Sequence, residues 1–222
     1  MTPAHPSSTH DVDRGTSFGT WTDPTSRWLY RDSTEKWMTH LGLPSSALVA
    51  DLGGANGLLR DHLPWAVTVD SDEAKEPDVV DDILTWTPTL SPLPEAAVVR
   101  YVLHYLTDEE VSRLLTTVAT YTDTLYLVQF VNENIAAKEA NSVNEPPRYF
   151  RTHTDLIHLI KGSPEWRADR CWLSPPYRVP PEFYANRLGS DPADHVEHEE
   201  QILAVRLDRT HTVTPSTEEA RS

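Results

Sequence analysis

The chain holds one cysteine in 222 residues. Cys171 by itself makes neither an internal disulfide nor a thiolate metal cage, and its setting in Arg170-Cys171-Trp172 reads as a buried, inert thiol in a strand. Basic residues are scarce too: 19 lysines and arginines stand against 34 aspartates and glutamates, a formal charge of −15. So negative a surface repels nucleic-acid phosphates and anionic lipid, which argues against either partner. No apolar run approaches the ~18 to 20 residues of a membrane-spanning helix. The opening MTPAHPSSTHDVDRG lacks the apolar core of a signal peptide. There is no internal repeat, no Gly-x-Ser-x-Gly elbow and no G-x-x-x-x-G-K-[ST] loop. The seven tryptophans are scattered without accompanying basic residues, so they form no stacking platform for nucleic acid. His195, His198, Glu199 and Glu200 read as solvated surface and not as a metal site. The expectation is a soluble, cytoplasmic chain without a metal.

The remaining pattern alternates strand and helix signals. Residues 1–16 and 211–222 have little to bury and read as flexible tails, leaving one domain over 17–210. Asp23 as cap, Pro24 at the first position and Gly42 as terminator predict a helix, with Tyr30, Thr34, Trp37, Met38 and Leu41 on one face. Strands are predicted at Ala47–Ala50, Ala66–Val69, Ala96 to about Val102 and Thr124–Val131. A helix is predicted after the glycine turn that follows the first of these. Another begins with the capping box Thr107–Glu110 and buries Val111, Leu114, Leu115 and Val118. A further helix runs from Thr152 to Lys161, and late strands lie around Arg167–Leu173 and Gln201–Leu207. The prolines between those two strands exclude a central strand there. This alternation predicts a doubly wound, Rossmann-like, mostly parallel sheet of seven strands with an N-terminal helical cover.

The most informative segment is Asp51-Leu52-Gly53-Gly54-Ala55-Asn56-Gly57. Glycine is needed where backbone approaches a ligand too closely for a Cβ, and an open parallel sheet binds ligands beyond its strands' carboxyl ends. Asp70 closes the second strand, where a carboxylate accepts the hydroxyls of a ribose; Asp72 is the fallback for that role. The pattern is D-x-G-x-x-x-G, not the G-x-G-x-x-G of dinucleotide sites.

At these residues the chain resembles the class I S-adenosylmethionine-dependent methyltransferases, over about Leu48 to Val131. The resemblance implies that this motif, with Asp51, Gly53 and Gly57 as its named contacts, lines the methionine part of S-adenosylmethionine and that Asp70 binds its ribose. The acid that reads the adenine is Asp81 or Asp82, with Asp82 preferred, followed by the apolar Ile83. Val98-Val99-Arg100-Tyr101-Val102-Leu103-His104-Tyr105-Leu106 resembles the family's fourth strand, in the LHxxxD form of small-molecule O-methyltransferases that Asp108 completes. Arg100 joins the cofactor-binding set on that basis. The acid that members often carry at the start of this strand has no clear counterpart in Glu95-Ala96-Ala97.

On the acceptor side, His104, Asn134 and Tyr177 are the candidate catalytic residues, and Phe18, Trp21, Asn132 and His153 the candidate substrate contacts. Segments 132–160 and 174–190 are expected to cover the pocket. The leading expectation is methyl transfer to a small molecule, a specialised metabolite or a modified amino acid. One alternative is a methyltransferase-like enzyme that releases methylthioadenosine by intramolecular attack, as in azetidine-2-carboxylate synthases. Another is a non-catalytic S-adenosylmethionine-binding protein. The resemblance is compatible with a homodimer.

Overall fold

The computed structural model describes residues 24–55, 57–89, 91–142 and 148–210. Strand β1 is Val49–Leu52, β2 Val67–Asp70, β3 Val79–Val80, β4 Ala96–Arg100 and β5 Thr124–Val131. Strands β6, β7 and β8 are Trp166–Leu173, Tyr177–Val179 and His198–Arg209. They form one sheet in the order β3-β2-β1-β4-β5-β8-β6, with β7 added against β8. The pairs from β3 to β5 are parallel, and β8 runs antiparallel to its neighbours. Every residue of β1 and β4 is buried, as expected of short apolar strands in a parallel sheet covered on both faces.

The sheet has eight strands where seven are expected, because Ser174-Pro175-Pro176 interrupts an edge strand without ending it. Ser174 keeps the pairing continuous: its N–H donates to Ile202 O, and its Oγ accepts from Ile202 N, both at 2.9 and 2.8 Å respectively. Chain β7 then resumes on the first residues of β8.

One face of the sheet is covered by the N-terminal helical segment: α1 Pro24–Arg27, a π-helical turn Trp28–Asp32, and α2 Ser33–Leu41. Asp23 lies outside the described residues. Gly42 ends α2 in the left-handed region at φ 73°. Trp37 and Leu41 are fully buried among Val49, Val98, Val128 and Ala204. The other face is covered by α3 Asp108–Val118 and α5 His153–Lys161, each opened by a complete capping box. Leu156 and Ile160 of α5 join Leu114, Leu115 and Val118 of α3 in this second core.

The helix expected after the glycine turn is a single 3-10 turn, Leu58–Asp61. Pro64 and the nearby start of β2 leave room for no more. Two short helices, α4 Ile135–Ala140 and α6 Pro181–Leu188, lie in the long connections. Cys171 is exposed, not buried, because β6 is an edge strand. His198 and Glu200 are buried, not solvated, since alternate residues at the start of β8 point inward. Among the described residues no group of three or more side chains could hold a metal ion, and no helix is long and apolar enough to cross a membrane.

Candidate functional site

Beyond the carboxyl ends of β1, β2 and β4 lies a cavity of about 370 Å³. The glycine turn forms one wall. Gly53 has φ +71°, and a Cβ there would come within 2.6 Å of Val102 Cγ2. A Cβ on Gly54 would fall 2.3 Å from Asp51 Oδ2. The turn thus depends on Gly54 as much as on Gly53. Gly57 does not line the cavity; it caps the 3-10 turn in the left-handed region at φ 73°.

Three carboxylates face this space. Asp51 is 1% exposed, and its Oδ2 has no hydrogen-bond partner among the described residues. Burial raises its carboxyl to about 6, against the opposing pull of the Arg100 and Arg60 charges. Asp70 holds the turn: its Oδ2 accepts from Ala55 N at 3.0 Å and its Oδ1 from Asp72 N at 2.9 Å. Each oxygen has a second acceptor position left for a hydroxyl. Asp72 instead turns its Oδ1 to Ala74 N. Asp82 lines the cavity beside Ile83 and Leu84, and its Oδ1 accepts from Leu84 N. Asp81 is not on the lining; its Oδ1 accepts from Asp82 N.

The opposite wall is cationic and aromatic. Arg100, 9% exposed at the end of β4, donates from NH1 to Thr34 Oγ1 at 3.2 Å and lies 5.9 Å from the Tyr30 and Tyr101 rings. Tyr101 has φ +58°, a strained conformation for a bulky residue. Contacts on all sides hold it there. Its ring stacks on Phe130 at 5.6 Å and meets Tyr30 edge-on at 5.8 Å, and its hydroxyl donates to Leu29 O. Leu29 O also accepts from Ser33 Oγ, and Tyr30 O from Thr34 Oγ1, so the π-helical turn finds partners for carbonyls that a regular helix would bond internally.

His104 also lines the cavity and is buried. Its Nδ1 lies 3.3 Å from Gln129 Nε2 and its Nε2 3.1 Å from Arg148 NH1. An arginine N–H always donates, so Nε2 accepts and a neutral ring carries its proton on Nδ1, where the Gln129 amide meets it through its oxygen. The other acceptor-side candidates lie apart from the cavity lining. Asn134 Oδ1 caps α4 through Ala137 N, and Asn132 Oδ1 accepts from Asn134 N. Asn132 and Asn134 line a separate depression together with Glu133 and Glu199. The Tyr177 hydroxyl donates to Glu200 Oε2 at 2.6 Å. His153 opens α5, its N–H on Glu133 Oε1. Phe18 and Trp21 fall outside the described residues.

Sequence reasoning missed Arg151. Its guanidinium binds Leu103 O at 2.7 Å, Leu106 O at 2.8 Å and Asp108 Oδ1 at 2.6 Å, fixing the loop that carries His104 to the start of α5. An arginine next to a capping threonine gives no sequence signal of such a role.

No protein-family model matches the chain, and no curated protein does. Solved structures do match. The YcgJ protein of Bacillus subtilis aligns at 10% identity over 81% of this chain and 99% of its own, with a TM-score of 0.58. Magnesium protoporphyrin IX methyltransferase from Synechocystis PCC 6803 with bound SAH aligns at 15% identity over 81% of each chain, with a TM-score of 0.51. The mitomycin 7-O-methyltransferase MmcR aligns at 18% identity over 90% of this chain and 62% of its own, also at 0.51. The chain shares with these structures a Rossmann-like methyltransferase fold, a mostly parallel sheet with β8 reversed in this chain.

Proposed function

We propose that the chain binds S-adenosylmethionine in this cavity and transfers its methyl group to a small molecule. The observation that carries the reading is the set of three carboxylates around a turn with no room for a Cβ. Asp51 brings a buried oxygen without a partner, suited to an ammonium group; Asp70 offers acceptor positions to a ribose; Asp82 with Ile83 offers an acceptor beside an apolar surface for a purine edge. Gly53 and Gly54 let the backbone approach the amino-acid end, and Arg100 lies near it. The cofactor supplies a methyl group already activated on a sulfonium. The chain's task is therefore to position the acceptor in line and to exclude water, with aromatic faces steadying the positive charge. Tyr30 and Tyr101 provide those faces.

The test is calorimetric titration with S-adenosylmethionine and S-adenosylhomocysteine, on the wild type and on Asp70→Ala. Binding that the substitution leaves unchanged removes the ribose assignment; no binding by the wild type removes the reading.

A second reading has an observation in its favour. His104 has both ring nitrogens engaged by Gln129 and Arg148 and so does not offer the cavity an uncommitted general base. Intramolecular attack that expels methylthioadenosine needs no second substrate. Mass spectrometry after incubation with S-adenosylmethionine alone separates the two: methylthioadenosine with a cyclic amino acid or a lactone supports this reading, and intact cofactor supports methyl transfer.

A further inference from the structure

Behind Phe130 lies a buried polar cluster that none of the roles above uses. Lys138 of α4 and Glu200 of β8 are 3% and 4% exposed and pair at 2.6 Å between Nζ and Oε1. Glu200 is fully engaged, with His198 Nε2 at 3.0 Å on the same oxygen and the Tyr177 hydroxyl at 2.6 Å on the other. Asn141 Nδ2 lies 3.2 Å from His198 Nδ1, and its Oδ1 accepts from Val196 N. Burying two charges costs several kcal/mol per ion in general, and an apolar pair often serves stability better. The place of the pair suggests another use. Lys138 Nζ sits 3.4 Å from the centroid of the Phe130 ring. Phe130 is shared between the cavity and a small void that Lys138 lines.

We infer that Lys138 and Glu200 are positioning residues that set the charge felt at the Phe130 end of the cavity. A ring that already holds an ammonium has little attraction left for a second cation. The pair is a dipole with its positive end against Phe130, in surroundings that screen it poorly. It therefore disfavours a sulfonium at Phe130, where the ammonium is 3.4 Å away, and directs it towards Tyr30 and Tyr101, which Arg100 meets only at 5.9 Å. The charge of a sulfonium is lost when its methyl leaves, so this repulsion acts on the loaded ground state and is relieved in transfer. The inference rests on the cofactor proposal above.

The test uses S-adenosylmethionine and S-adenosylhomocysteine as paired probes, since they differ in the charge on sulfur, and reads the ratio of their dissociation constants by calorimetry. Wild-type binding of both probes comes first; without it the cofactor proposal fails, and this inference with it. Lys138→Met is expected to shift the ratio about threefold or more in favour of S-adenosylmethionine. Glu200→Gln, which leaves the ammonium uncompensated, is expected to shift it the other way. Because either variant leaves one buried charge alone, Lys138→Met/Glu200→Gln serves as the neutral reference, with a ratio between the two. Opposite shifts support the inference. Equal losses for both probes, or an unchanged ratio in whichever variants fold, mean that the pair is structural and overturn it.

Discussion

Asp51 carries the sharpest conflict between stability and binding in the molecule. Its carboxyl is raised from 3.8 to about 6, so the folded state holds a proton that the unfolded state releases between those values. Stability from this group falls as pH rises through that window, and above about 6 the full cost applies, about 3 kcal/mol by linkage. Asp51→Asn is therefore expected to raise the denaturation midpoint at pH 8, with the gain vanishing towards pH 4. The same variant removes the anion facing the cavity and should weaken S-adenosylhomocysteine binding tenfold or more. A variant that is no more stable at pH 8 than the wild type contradicts the desolvation account. Gly54→Ala provides a neighbouring test, because its Cβ would collide with Asp51 Oδ2. Calorimetry should show binding reduced at least as much as in Asp51→Asn.

The elements around the cavity are held by side chains reaching between them. The π-helical turn Trp28–Asp32 places Tyr30 on the cavity wall, and the hydroxyl of Tyr101 ties that turn to the end of β4. Tyr101→Phe keeps the ring stack and loses that tie. It is expected to cost about 1 kcal/mol and to increase amide exchange in the 28–34 segment, with little change in α3. Equal exchange in both segments would show that the turn does not depend on Tyr101. Arg151 does comparable service on the other side, linking the His104 loop to the start of α5. Arg151→Met takes this donor from Leu106 O and leaves Leu103 O with the Leu106 N–H alone, and urea denaturation should register a loss of about 3 kcal/mol.

Taken whole, the molecule is a three-layer sandwich whose layers differ in depth. The α3–α5 face is covered by two regular helices with complete caps, whereas the other is covered by a broken N-terminal segment and a 3-10 turn. Trp37 carries much of that thinner layer, at 0% exposure against Tyr126. Trp37→Ala should cost about 3 to 5 kcal/mol, a value that thermal unfolding will read directly. A loss under 1 kcal/mol would mean that the layer contributes little to the fold.

The parallel character of the sheet was legible from local pattern, because a strand buried on both faces must be a short apolar run and a ligand turn must carry glycine. Asp51, Gly53, Asp70 and Asp82 reach the cavity lining for the same reason: each is fixed by its distance from a strand end. The failures share a cause as well. Asn134 and Tyr177 have the right chemistry for a site, yet Asn134 Oδ1 is taken by an N-cap and the Tyr177 hydroxyl by Glu200, partners remote in sequence or invisible to residue type. His198 and Glu200 look like surface in a run of charges, and only their alternation along a paired β8 buries them. Backbone pattern is written locally in apolar spacing and glycine. The fate of a polar side chain depends on which distant group meets it, and that is settled when the sheet assembles and the layers close over it.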